Sequence, residues 1–184
     1  MNEDLIFFDL EATGFRRAVG NCDQVVQFAA AFKGNQNKDF AIYLKVDYLP
    51  LEIANLTKID PKWLNNNGID YNQGLKQIND WINLNGRDRV WIGYNTHSYD
   101  WPLLFSNLKE AGLINDLSWK DWLSRLNIES IDLLYVARKK LKGLLTSYRL
   151  EDVCKYFKID LTNAHNAIAD VEITKAIYQK LSGI

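Results

Sequence analysis

Two largely apolar runs, residues 24–32 and 40–46, are separated by little more than Gly34-Asn35-Gln36-Asn37. Strands joined by so short a turn pair antiparallel. A third apolar run, residues 5–10, stands ahead of them and reads as a buried strand. Behind them the pattern changes. A helical stretch around residues 61–64 precedes a second over 73–84, where Leu75, Ile78, Trp81 and Ile82 fall at helical spacing. Asn65-Asn66-Asn67-Gly68 between them is a loop or a helix end. A strand over 90–94, a helix over 101–111 and a short strand near 128–131 follow. A helix then runs to about Lys140, and two more cover 151–157 and 167–181. Three strands followed by alternating strands and helices imply an α/β fold. Its mixed central sheet is antiparallel through the first three strands, then parallel, and flanked by helices.

The chain has 184 residues, enough for about one compact domain, and 47% of them are hydrophobic. No repeat, low-complexity segment or proline-rich linker divides it, so one domain over 1–184 is expected. Lysine and arginine number 22 against 23 acids, a net charge of −1. That balance excludes a polybasic wrapper for nucleic acid or an anionic membrane, and leaves room for a local basic groove. Cys22 and Cys154 are too few for a disulfide scaffold, and no Cys-x-x-Cys pair suggests zinc. The chain opens Met1-Asn2-Glu3-Asp4, acidic where a signal peptide is basic, and its first apolar run stops at Asp9. No run approaches the ~20 apolar residues of a membrane span. A soluble, intracellular protein without a membrane partner is expected.

Four constellations carry possible chemistry. Asp9-x-Glu11 lies at the end of the first strand, where alternation points both carboxylates to one face. Such a pair is either solvated or held together by a hard cation. With 23 acids in 184 residues, about three acid-x-acid pairs arise by chance, so position rather than pattern distinguishes this one. The second runs from Gly93 to Pro102. Here Asp100 before Trp101-Pro102 reads first as a helix N-cap, and His97 reads as a surface loop histidine outside any site. The third is His165-x-x-x-x-Asp170. Five helical residues turn about 500°, which would leave the two side chains about 140° apart. They converge only if His165 precedes the helix, with Asn166 as its cap. The fourth is the basic and aromatic stretch Arg138, Lys139, Lys140, Lys142, Tyr148, Arg149, Lys155 and Lys158. It reads first as a solvated helix face diluted by Glu151 and Asp152, with phosphate contact as the alternative. Asp132, in Ile131-Asp132-Leu133-Leu134, is placed to cap the following helix.

The order of these blocks resembles the DEDDh 3′→5′ exonucleases, the DnaQ-like group with a ribonuclease H-like fold. Phe7-Phe8-Asp9-Leu10-Glu11-Ala12-Thr13-Gly14 is similar to the family's first motif, residues 95–100 to the second and 165–170 to the third. The first block, and the spacing from Asn95 to Asp100 before Trp101-Pro102-Leu103-Leu104, resemble TREX-type enzymes, although no proline-rich insertion is visible. Tyr94 stands where many relatives have histidine; the exonuclease I group also tolerates tyrosine there. Histidine at 165 favours the DEDDh branch over the one with a tyrosine at position 166.

The resemblance implies that Asp9, Glu11, Asp100 and Asp170 hold two divalent cations, Mg²⁺ or Mn²⁺, with Asp9 bridging, and that His165 is the general base. It implies substrate contacts at Glu11, Ala12, Thr13, Phe15 and Asn95, with Phe15 as an apolar wedge against the last bases. The expected substrate is a single-stranded or 3′-tailed DNA end, cut to nucleoside 5′-monophosphates. RNA trimming and a non-catalytic nucleic-acid-binding module are the alternatives. Relatives are often dimers, so a homodimer is possible.

Overall fold

A computed structural model describes residues 5–34, 39–162 and 164–184. Its centre is β1 (Leu5–Ala12), whose near-continuous apolar sequence suits a strand covered on both faces. Ile6, Phe8, Leu10 and Ala12 enter one core with Trp91, Trp101 and Trp122. Phe7 points the other way, into a second core with Ile92, Val153, Val171 and Ile177.

β4 (Val25–Phe32) pairs antiparallel with β1, and β5 (Phe40–Tyr43) antiparallel with β4. On the other side β6 (Val90–Gly93) runs parallel to β1, and β7 (Glu129–Asp132) parallel to β6. The sheet order is β5-β4-β1-β6-β7, the mixed architecture expected. The turn residues Asn35, Gln36 and Asn37 lie outside the described residues. Short strands β2 (Arg17–Ala18) and β3 (Asn21–Cys22) form a separate hairpin.

Helices cover both faces. α3 (Tyr71–Trp81), continued by a π-helical turn over Ile82–Gly86, packs into the tryptophan-rich core with α4 (Asp100–Glu110) and α5 (Trp119–Arg125). α6 (Leu133–Lys140), α7 (Leu150–Phe157) and α8 (Ala167–Ser182) form the opposite layer. α1 (Leu51–Thr57) and α2 (Pro61–Asn67) enclose a small third cluster around Val26 and Leu49. Among the described residues no helix is long and apolar enough to cross a membrane.

Four elements depart from expectation. α1, α5 and the β2–β3 hairpin are not among the expected elements: each is seven residues or fewer, Pro50 ahead of α1 offers no side-chain cap, and the one local signal is Ser118, which caps α5 by accepting the Asp121 N–H at 3.3 Å. The strand expected over 40–46 stops at Tyr43. There the chain turns to residue 69, with Ile69 N–H donating to Tyr43 O and Lys45 N–H to Ile69 O, both at 2.8 Å.

Two features fix the end of β1 against its surroundings. A β-bulge falls between Glu11, opposite Gln27, and Ala12, opposite Val25, a device that re-aims a strand's side chains. Gln27 is fully buried, and its Oε1 accepts the Ala167 N–H at 3.0 Å at the start of α8. Gln27→Leu keeps the volume but strands that buried amide, a loss of about 1–3 kcal/mol. Urea unfolding checks it: the midpoint should fall, and an unchanged midpoint would show that the contact does not anchor α8.

Candidate active site

Four acids reach one place from three elements. Asp9 and Glu11 stand on the α8 side of β1, on the same face as Phe7. Asp170 lies in the first turn of α8. Carboxylate oxygens of Asp9, Glu11 and Asp170 all lie within 4.8 Å of one another. Asp100 opens α4 and lines the same cavity, which has a volume of about 1040 Å³.

Local backbone geometry brings the last pair together. Asn166 caps α8, its side chain accepting the Ile168 N–H at 3.2 Å. His165 precedes the cap at φ +68, a left-handed conformation uncommon outside glycine. That turn folds the chain back, so the His165 N–H donates to Asp170 Oδ2 at 3.1 Å. The His165 ring lines the cavity and makes no hydrogen bond to a protein group among the described residues.

Asp100 does not cap its helix. Tyr99 occupies the cap position without a side-chain bond, and Asp100 is the first helical residue, turned into the cavity. The capping atoms for the preceding loop come instead from Asp132. Its carboxylate accepts N–H groups from Asn95 (2.8 Å), His97 (3.1 Å) and Leu134 (3.0 Å), so it caps α6 as expected and also clasps the loop leading to Asp100. His97 is half-buried rather than a surface side chain. Its Nε2 bonds to Ser130 Oγ at 3.0 Å, its ring lies near Trp119 and Tyr135, and it lines a different cavity.

The remaining expected substrate contacts divide. Glu11, Asn95 and Phe15 line the cavity, and Phe15 is 70% exposed beside Tyr99. Ala12 is buried, and the Thr13 hydroxyl accepts the Gln24 N–H at 2.9 Å, so neither side chain joins them. Tyr99 Oη donates to Gly14 O at 2.6 Å and steadies the Phe15 loop. Burial pushes the thiols of Cys22 and Cys154 up to about 12, far from a reactive thiolate.

Crowding the acids has an electrostatic consequence. Burial first, then the charges of Asp100, Glu11 and Asp170, holds Asp9 well above the usual carboxylate range. Burial first, then the charges of Asp170 and Asp100, push Glu11 from 4.5 up to about 8, and burial raises Asp100 to about 7 against the amides of Asp100 and Leu10, which favour its charge. Burial also raises Asp170. Asp170 Oδ1 is buried without a hydrogen-bond partner among the described residues. A carboxylate with one orphaned oxygen, grouped with two more carboxylates, suits a hard divalent cation, whose oxygen ligands lie ~2.0–2.6 Å from it.

The chain matches the exonuclease family (RNase T type) over residues 6–178. It belongs to the exonuclease family. A DNA polymerase III PolC-type from Bacillus cereus is 28% identical over 182 residues, covering 97% of this chain and 11% of the relative. Among solved structures, E. coli Exonuclease I with a dT13 oligonucleotide superposes with a TM-score of 0.76 at 23% identity. The zinc-bound form of its single-stranded DNA complex gives 0.76 at 25%. Each covers 97% of this chain and 40% of that enzyme. Cell-death related nuclease 4 shares the fold at TM-score 0.73 and 15% identity, with 99% and 64% coverage. This exonuclease-family chain thus spans about a tenth of the polymerase and two fifths of Exonuclease I.

The raised acids set a pH signature for this exonuclease fold. Glu11 and Asp100 bind protons more tightly folded than unfolded, so folding is favoured below their ordinary values, and that advantage is lost as pH rises to about 8. In EDTA the melting temperature should fall from pH 5 to pH 8, and Asp9→Asn should raise it at pH 8. A flat profile and an unstabilised variant would show that the acids do not repel.

Proposed function

We propose that this chain is a 3′→5′ exonuclease acting on single-stranded or 3′-tailed DNA and releasing nucleoside 5′-monophosphates, with residues 1–184 as one catalytic domain. The observation that carries the reading is the Asp9, Glu11 and Asp170 cluster, with an orphaned Asp170 oxygen, at the floor of a cavity that His165 and Phe15 also line. Exonuclease I neighbours are described with dT13 and with single-stranded DNA and zinc, which supports a DNA strand as substrate.

Asp9, Glu11, Asp100 and Asp170 would hold two divalent cations, Mg²⁺ or Mn²⁺. Bound there, such cations supply acidified water and neutralise charge on the attacking and leaving oxygens. The chain's residues do the rest. His165, whose ring lines the cavity and makes no hydrogen bond to a described protein group, takes a proton from the attacking water as general base. The water oxygen bonds to the terminal phosphorus and the P–O3′ bond to the preceding sugar breaks. The proton returns to that 3′-oxygen, so the terminal nucleotide leaves with its 5′-phosphate. The Glu11 and Ala12 backbone faces the terminal 3′-OH. Phe15 stacks on the last base, a contact of ~1–3 kcal/mol that favours an unpaired end.

Strands labelled at the 5′ end test the reading: 3′-tailed and blunt DNA and matched RNA, each in Mg²⁺ and in EDTA. A metal-dependent ladder shortening from the 3′ end of DNA is expected. A ladder on RNA alone would make the enzyme a ribonuclease, and no cleavage by folded protein would make it a binding module. His165→Ala should slow turnover by roughly 10²–10⁴-fold, and Asp9→Asn should abolish it.

A further inference from the structure

The eight-residue basic and aromatic stretch is sorted by the fold. Lys140 donates to Leu181 O at 2.8 Å, tying α6 to the end of α8. None of the five lysines lines the acidic cavity. Arg138, Tyr148 and Arg149 do. Among the described residues of that cavity Arg138 and Arg149 are the lysine or arginine side chains present, against five carboxylates: Asp9, Glu11, Asp100, Glu151 and Asp170. Both guanidinium groups are exposed, and neither is ion-paired or hydrogen-bonded to a described protein group. Arg138 stacks over the Tyr135 ring at 6.0 Å and lies close enough to Tyr94 to act on its hydroxyl.

The backbone that carries Arg149 is buckled in place. Tyr94 Oη donates to Tyr148 O at 2.7 Å, and Tyr148 Oη donates to Leu141 O at 3.0 Å. The first of these bonds ends on the peptide unit that joins Tyr148 to Arg149. The connection between α6 and α7 is therefore fixed at both ends, and the backbone that carries Arg149 need not be ordered when a ligand arrives.

We propose that Arg138 and Arg149 form a guanidinium pair that grips the phosphodiester backbone of the substrate strand beside the reacting phosphate, with Tyr94 as the positioning residue for Arg149. This inference rests on the exonuclease reading of the same cavity. A polyanion entering a cavity with five acids is repelled wherever bound cations do not reach, and unpaired guanidinium forks match phosphate oxygens in geometry as well as charge. The pair grips sugar-phosphate without reading bases, so it is indifferent to sequence.

Two substrates separate grip from chemistry: a dT oligonucleotide and the p-nitrophenyl ester of thymidine 5′-monophosphate, which has a single phosphodiester. Arg138→Ala and Arg149→Ala should each raise KM for the oligonucleotide about tenfold more than KM for the ester, the scale of a lost charge-assisted hydrogen bond. Tyr94→Phe, which keeps the ring but frees the 148–149 peptide, should shift the same ratio in the same direction by less. Equal effects on both substrates would overturn the proposal. Fluorescence anisotropy of a labelled dT oligomer on Asp9→Asn protein in EDTA reads the grip without turnover. There each arginine removed should weaken binding and flatten the plot of log affinity against log salt by about 0.7. If wild-type protein cleaves neither substrate, the exonuclease reading fails and the anisotropy still decides the grip. Unchanged affinity and slope would refute it.

Discussion

Four carboxylates that repel one another are held in a single cavity by contacts that leave them little room to part. Asp9 and Glu11 are fixed by strand alternation on β1, which is paired on both edges. Asp170 is fixed by the capped start of α8, itself tied to β4 through Gln27. Asp100 follows a loop clasped by Asp132. The rest of the architecture serves this concentration of charge: a sheet buried on both faces for rigidity, and helix starts aimed at the strand ends. Like charges so placed raise one another's proton affinities beyond what burial does, and a divalent cation bound among them would relieve the repulsion.

Much of this was legible in the sequence. Alternation alone put Asp9 and Glu11 on one face, and the angular argument required His165 to stand ahead of its helix with Asn166 as the cap. The structure supplies that arrangement through a left-handed residue at 165. The antiparallel start and the parallel continuation followed from turn length and from the alternation of elements.

What was not legible depends on contacts between residues far apart in the chain. Asp132 signals only a cap locally, yet two of its three N–H partners lie more than thirty residues away. Gln27 sits in an apolar strand and gives no hint that it will hold the α8 terminus 140 residues on. Asp100 resembled a cap because Asp before Trp-Pro is favourable there, but the helix begins one residue earlier than that reading needs. His97 reads as a surface histidine locally because the aromatic walls that half-bury it come from α5 and α6, while it stays outside the acidic cavity. The arginines at 138 and 149 were indistinguishable in sequence from the lysines around them until the fold turned only those two inward.

In a chain with a net charge of −1, the cavity sets five carboxylates against two arginines, Arg138 and Arg149. The central claim is that the acidic cluster is a cation site, and equilibrium binding of Mn²⁺, followed by the loss of its free-ion EPR signal, tests it most directly. Wild-type protein should take up Mn²⁺, while Asp170→Asn, which keeps the fold and removes the orphaned oxygen's charge, should bind it far more weakly. Equal uptake by both proteins, or none by the wild type, would contradict the account.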